Sequence, residues 1–397
     1  MSSPTETLKL KEAVKQLARQ HGFPLVGIAS AERFVEAEQS LLERIAAGFF
    51  AGLSWFTAER ARFCCEPRNH MADACSLIAL GISYNALAAP AASGLRGRVA
   101  RYAWGRDYHH ELGERLKKFC RDLRTICPPG IKLKTFVDHG RIVDRAVAQR
   151  AGLGWYGKNS NILTHQFGSW VFLAEVLTNL PLPPDAPVRT HCGHCQVCIP
   201  ACPTGAIVAP GVIHSDRCIS FLTIELRGPI PRALRPLIGD WIFGCDVCQD
   251  VCPVNRKAAV VAPSAFAPEH GVGARPELLP LLGLSDQEFR QRFGHTPLSR
   301  AGRRGLLRNV CVALGNLGDP VAIPALQRAL GDPEPLVRGH AAWALGQLAE
   351  KNPGCQTYSA LQERLSRETD GWVREEIALA LRLAQQETAS RSSQASS

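Results

Sequence analysis

Four cysteines fall within eleven positions of "HCGHCQVCIPACPTGAI" (191–207), and "FGCDVCQDVCPVN" (243–255) nearly repeats them. Cys192, Cys195, Cys198 and Cys202 follow C-x2-C-x2-C-x3-C, with Pro203 behind the last. Two-residue gaps let three thiolates wrap one corner of a cubane, each on its own iron. The fourth cysteine of such a run serves the other cluster of a pair. Structural zinc favours separated C-x2-C pairs instead. Cys245, Cys248 and Cys252 repeat the pattern one cysteine short, with Pro253 after them, and Cys218 in "SDRCISFLT" fills the count. Two [4Fe–4S] clusters are therefore expected. Cys192, Cys195 and Cys198 would share one with Cys252; Cys245, Cys248 and Cys218 would share the other with Cys202. Cys64, Cys65, Cys75, Cys120, Cys127, Cys311 and Cys355 show no ligand spacing and read as buried or incidental thiols.

Two clusters make a wire, so something in the N-terminal region must consume electrons. No Rossmann glycine fingerprint and no P-loop is visible to name it. "DYHHELG" (107–113) nearly matches the D-x-H-x-x-G box that gives a histidine to cobalamin, with its glycine one place late. Asp107 reads equally well as a helix N-cap. Asp138 ends the alternating run "IKLKTFVD" (131–138), at a strand end where α/β folds place ligands. It reads also as a turn or cap residue before the next helix.

These residues need elements to hold them. Leu10, Val14, Leu17 and Ala18 carry helical spacing. "FPLVGIAS" (23–30), "SLIALGISY" (76–84), "IKLKTFVD" and "SWVFLAEVLT" (169–178) read as strands. Residues 108–126 and 141–152 read as helices. Mixed elements of this kind predict an α/β or α+β N-terminal domain. Beyond residue 300, Ala313-Leu314-Gly315 recurs as Ala344-Leu345-Gly346, and "IALALRLAQ" (377–385) is a degenerate third copy. That period with paired helices predicts a short HEAT-like solenoid. The expected domains are 1–187 catalytic, 188–259 ferredoxin-like, 260–299 connector, 300–385 HEAT-like, and 386–397 a disordered polar tail.

The chain carries a formal charge of +10, and arginine, whose planar fork suits phosphate, outnumbers lysine. A polyanion such as nucleic acid is the expected partner, with a basic surface lacking any such partner as the bland alternative. No run of eighteen apolar residues predicts a membrane span. The opening "MSSPTETLKLKEAVKQ" lacks a signal-peptide core. A cytoplasmic protein with no membrane partner is expected, where clustered thiols are metal ligands before they are disulfides.

"RYAWGRDYH" (101–109), "VDHGRIVDRAVAQRAGLGWYGKNSNIL" (137–163), "CGHCQVCIPACPTGAI" (192–207), "RCISFLT" (217–223) and "GCDVCQDVCPVN" (244–255), followed by HEAT-like repeats, resemble epoxyqueuosine reductase. The resemblance implies an enzyme that reduces the epoxide of epoxyqueuosine at the tRNA wobble position to give queuosine. It implies cobalamin, used as cob(I)alamin and fed by two [4Fe–4S] clusters, and a relation to reductive dehalogenases. It makes Asp138 the proton donor. The family's aspartate is followed by Thr and Gly, whereas His139 stands here. The implied corrin contacts are Arg62, Ala100, Asp138, Ile162, Leu173, Val247 and Cys248. Arg62 departs from the family's arginine–proline spacing, and Ala100 stands where some members carry cysteine. Ile162 and Leu173 read otherwise as strand core. The implied RNA contacts are Arg227, Arg300, Arg303, Arg304 and Arg308, which read otherwise as a solvated helix face. An external electron donor, a tRNA anticodon stem-loop and a monomeric state complete the expectation. Two other readings are a cobalamin-dependent dehalogenase or other small-molecule reductase, and a ferredoxin-like carrier with a protein-binding solenoid.

Overall fold

The computed structural model describes residues 4–88, 93–352 and 356–394, so Cys355 lies outside the described residues. It divides into two compact units. The first comprises Met1–Leu87, Gly105–Asp216 and Asp246–His270; the second comprises Ala88–Trp104, Arg217–Cys245 and Gly271–Ser397. This division cuts across the boundaries expected at 187 and 259. The proline-rich stretch at 179–188 is no free linker. Its Asp185 accepts from the Ile28 amide at 2.8 Å and pairs with Lys11 and Lys15 at 2.7 Å, all within the first unit.

The first unit is built on a four-stranded sheet in the order Leu25–Ser30, Ser76–Ser83, Val171–Thr178, Leu133–Phe136. Every neighbouring pair is antiparallel, so the arrangement is the α+β form of the expected class. The strand-end rule that singled out Asp138 belongs to parallel sheets and does not apply. Ser76–Ser83 is buried at every position, which its unbroken aliphatic run allows because both faces are covered. On one face Leu173 and Leu177 join Phe136, Ile142, Ala146, Val147 and Ile162, bringing in the helix Asp144–Arg150. On the other face Phe172 meets the helix Tyr108–Ile126 through Tyr108. That helix buries Leu112, Leu116, Phe119 and Leu123 along one stripe.

In the second unit, Gly302–Leu317, Pro335–Lys351 and Gly371–Gln394 are the long helices of successive repeats. The recurring glycine has a physical reason. A Cβ on Gly315 would lie 3.0 Å from Ala344 Cα, and one on Gly346 would lie 2.9 Å from Ala380 Cα. Hydrogen at these positions lets neighbouring helices approach closely, which aligns the stack. The last helix extends to Gln394, well into the segment expected as a disordered tail. Among the described residues no helix is long and apolar enough to cross a membrane.

Candidate functional site

The edge strand Leu133–Phe136 ends in a tight turn. The His139 amide donates to Val137 O at 2.5 Å, and Asp138 between them takes φ 50°. A left-handed conformation costs a side chain energy, least for Asp and Asn. Such a position projects a carboxylate away from its own strand, and Asp138 is 53% exposed. Oδ2 of Asp138 accepts from the Tyr108 hydroxyl and lies 3.4 Å from His109 Nε2. Tyr108 is held by stacking on Phe172, with ring centres 4.3 Å apart and planes 8° from parallel. His109 Nδ1 lies 2.8 Å from Asp107 Oδ1, which also accepts the His109 amide at 2.9 Å.

An ionised Asp107 holds the ring proton on Nδ1, which leaves Nε2 of a neutral imidazole with only a lone pair toward Asp138. His109 Nε2 stands within ion-pair reach of a half-exposed carboxyl, an arrangement suited to general-acid work. Asp107 is the N-cap that the bland reading expected. The "DYHHELG" histidine has both ring nitrogens engaged with carboxylates rather than turned outward as a cobalt ligand. Tyr108 was not foreseen as a site residue, and His109 was weighed only as a cobalt ligand through the D-x-H spacing at a helix start. The His139 ring lies 4.9 Å from that of His109.

The cysteine loops follow their own geometry. In the first unit, the Cys198 thiol is pushed up by burial and then by Cys192, Cys252 and Cys195 around it. The structure therefore brings these four together. The Cys202 sulfur accepts from the Ala206 amide at 3.2 Å. The Cys248 carbonyl accepts from Asn159 Nδ2 at 3.1 Å. Cys202 and Cys248 belong to the first unit, Cys218 and Cys245 to the second. Among the described residues no three His, Cys, Asp or Glu side chains converge on a point that would hold a single ion. A cubane spreads its thiolates, one to each iron. The turn after Cys252 is fixed by Asn255, whose Oδ1 accepts the Ser169 amide at 2.7 Å and whose Nδ2 donates to Gln249 O at 2.8 Å.

The other expected positions differ in what they offer. Arg62 is exposed, and Leu173, Val247 and Cys248 are half-buried. Ile162 packs into the core at 3% exposure, and Ala100 is 1% exposed with its amide donating to Phe243 O. Neither presents a side chain to a ligand. Among the arginines, all in the second unit, Arg227 and Arg304 are exposed and Arg300 is half-buried. Arg303 is committed elsewhere: its guanidinium pairs with Asp332 and its Nε donates to Leu284 O at 2.5 Å. Arg308 is fully buried, donating to the carbonyls of Leu222, Leu226 and Gly228 at 2.6–2.8 Å. Burial pushes it down to about 9. It cannot meet a phosphate without abandoning three carbonyls, so its role is structural.

Comparison with known proteins decides the family. A model described as "Epoxyqueuosine reductase QueG, DUF1730" matches residues 65–139. "4Fe-4S double cluster binding domain" matches 191–255, and "HEAT repeats" matches 298–382. The epoxyqueuosine reductase of Escherichia coli (strain K12) is 38% identical over 360 residues, covering 89% of this chain and 94% of that protein. The Bacillus subtilis (strain 168) enzyme is 36% identical over 365 residues, covering 91% and 93%. The chain belongs to the epoxyqueuosine reductase family. It is accordingly an oxidoreductase, with a double-cluster iron–sulfur domain and C-terminal HEAT repeats. A solved epoxyqueuosine reductase carrying a tRNA-Tyr epoxyqueuosine-modified stem loop superposes with TM-score 0.88 at 36% identity, over 95% of this chain and 99% of that one. A Bacillus subtilis epoxyqueuosine reductase, described with an aspartate-bearing catalytic loop swung out of its active site, gives TM-score 0.86 at 36% identity, over 94% and 99%.

Proposed function

We propose that this chain reduces the epoxide of epoxyqueuosine at the wobble position of tRNA, giving queuosine. Two electrons and two protons convert the epoxide to a carbon–carbon double bond, and the oxygen leaves as water. The observation that carries the reading is the Asp138 turn: a half-exposed carboxyl held by the Tyr108 hydroxyl, with His109 Nε2 3.4 Å away. The aspartate-bearing catalytic loop described for the Bacillus subtilis relative supports an aspartate in this role. Asp138 delivers a proton to the departing oxygen, and Tyr108 fixes the carboxyl in place. His109, oriented by Asp107, returns the proton.

Cobalamin fits the residues in part. Leu173, Val247 and Cys248 offer partly open, mainly apolar contacts, Arg62 an exposed cation and Asp138 an acid. These would hold the cofactor, whereas the buried Ile162 and Ala100 side chains would not. When bound, cobalamin would supply a strongly reducing cobalt centre, the part of the chemistry side chains cannot perform. Eight thiols, Cys192, Cys195, Cys198 and Cys252 with Cys202, Cys218, Cys245 and Cys248, would carry two [4Fe–4S] clusters. An external donor would feed them in a reducing cytoplasm. Of the expected RNA contacts, Arg227, Arg300 and Arg304 remain suited to tRNA phosphate. The solved relative bound to a modified stem loop supports an RNA substrate.

The test is nucleoside analysis of tRNA from a strain lacking the gene, complemented with wild type or with Asp138→Asn. Epoxyqueuosine should accumulate in the deletion, disappear with wild type and persist with the variant. Queuosine at normal levels in the deletion strain would overturn the assignment.

A further inference from the structure

Glu175 is the one charged residue of the strand Val171–Thr178, and it points inward. It follows Leu173 and precedes Leu177 on the face packed against Asp144–Arg150, and it is 1% exposed. Asp144 opens that helix, and its side chain meets Glu175. Among the described residues no amide, hydroxyl or cation donates to either Glu175 oxygen or to Asp144 Oδ1, all of which are sealed from solvent.

Two carboxylates cannot hydrogen-bond to one another without a proton. Two bare negative charges with these oxygens sealed and no cation hydrogen-bonded to them would be costly. Burial pushes Asp144 up to about 6. Burial, then the Asp144 charge and the shared bond, push Glu175 well above the ordinary glutamate range. One proton held between the two carboxyls, on the Glu175 side, is the arrangement that satisfies the three sealed oxygens. Phe136, two residues before Asp138, is the register partner of Glu175 on the neighbouring strand, and the charge of Asp138 acts on both members of the pair. Electrostatic coupling is reciprocal, so charge on the pair acts equally on Asp138.

We propose that Asp144 and Glu175 are positioning residues for the proton of Asp138: a single proton bridges the two buried carboxyls, and the one negative charge they retain favours the acid form of Asp138. The inference rests on the reading of Asp138 as the acid. The other groups facing the pair are Arg145, on the helix of Asp144, which opposes the effect, together with Tyr156 and Cys64. Burial raises Cys64, and the exposed phenol of Tyr156 is neutral well below the ordinary tyrosine range, so neither adds charge at neutral pH. Arg145 is exposed and screened by water.

Two near-isosteric variants separate charge from shape. In Glu175→Gln the amide donates to Asp144, which stays ionised, so the charge behind Asp138 persists. In Asp144→Asn the remaining Glu175 stays protonated and the charge is lost. The experiment measures kcat/KM against pH for the holoenzyme with an epoxyqueuosine-modified stem loop. The alkaline limb, where the acid loses its proton, should move down by about one pH unit in Asp144→Asn and stay in place in Glu175→Gln. A merely structural pair would lower activity in both variants without moving the limb, and that result would overturn the proposal. If Asp138→Asn keeps full turnover, the reading of Asp138 fails, and this inference with it. A second measurement needs no turnover. Infrared spectra at pH 7 should show the C=O stretch of a buried carboxylic acid in wild type and in Asp138→Asn but not in Glu175→Gln. Its absence from wild type would overturn the shared proton even if Asp144→Asn fails to fold.

Discussion

The Tyr108 hydroxyl donates to Asp138 Oδ2 while the Tyr108 ring lies flat on Phe172. The donor is thus anchored to the sheet, whereas the acceptor sits on a turn with φ 50°. A rigid element restrains a strained one, a common arrangement where a reacting group must be held in a sparsely populated conformation.

Removing that restraint has a defined consequence. Tyr108→Phe keeps the stacking and loses the hydrogen bond. Turnover should fall about tenfold, the loss of a net interaction of about 1.4 kcal/mol, with iron and cobalamin content unchanged. Asp138→Asn keeps the size and loses the proton, and turnover should fall by about 10²–10⁴-fold. Single-turnover reduction of a modified stem loop measures both. Equal turnover of Tyr108→Phe and wild type would remove Tyr108 from the machinery.

How much of this was legible in the sequence depends on the range of the forces involved. The helix Tyr108–Ile126 was readable because its stripe and its Asp107 cap are local. The cysteine spacing was readable because cluster ligation is largely a local constraint. The Tyr108–Asp138 contact was not, since it spans 30 residues and depends on a turn. Arg308 misled for a related reason. "RAGRRGLLRN" looks like one basic face, but the carbonyls that bury Arg308 lie 80–86 positions away. Glu175 gave no sign at all: a lone charge in "VFLAEVLT" reads as a solvent-facing position until Asp144 is placed against it.

The cysteines make a sharper test of the cluster map. Cys195→Ala removes a thiol beside Cys198, and Cys248→Ala removes one of the other expected set. Each variant should lose about half of the roughly eight irons expected of two [4Fe–4S] clusters, along with turnover. Iron analysis of anaerobically reconstituted protein measures this. Full iron retention in both variants would discard the ligand map.

The arginines divide by what already holds them. Arg227→Ala with Arg304→Ala removes two exposed cations and should weaken stem-loop binding while lowering the salt slope by about two. Arg308→Ala should instead destabilise the second unit, because it leaves buried carbonyls without donors. Arg303→Ala should cost stability through Asp332, now unpaired. Binding isotherms at several salt concentrations, read beside thermal melts, separate these outcomes. A salt slope unchanged in the Arg227/Arg304 double variant would take this face away from RNA.

The repeats carry a pH-dependent lock of their own. Arg338 grips Glu368 with two nitrogens at 2.8 and 2.9 Å, and Arg364 adds two more at 2.9 and 2.7 Å. The hydrogen bonds from Arg338, acting against burial, hold Glu368 down to about 2. Its folded value lies below its unfolded one, so the stabilisation is fully present above the ordinary glutamate range. It is lost as pH falls from there toward 2, because the unfolded chain takes up the proton first. The span corresponds to on the order of 3 kcal/mol. Glu368→Gln should therefore melt well below wild type at pH 7, and the gap should narrow steadily as pH falls below 4. Helical circular dichroism followed through thermal unfolding at matched pH measures the gap, and loss of clusters in acid affects both proteins alike. A gap that stays constant from pH 7 to pH 3 would mean that Glu368 acts by shape rather than charge. The Asp144–Glu175 pair has the opposite sign. Its folded values lie above the unfolded ones, so its protonated form stabilises the fold in acid and that contribution declines as pH rises through about 6. One chain thus holds two carboxyl systems that respond to acid in opposite directions, the arginine-gripped one in the repeats and the one behind Asp138 that no arginine grips.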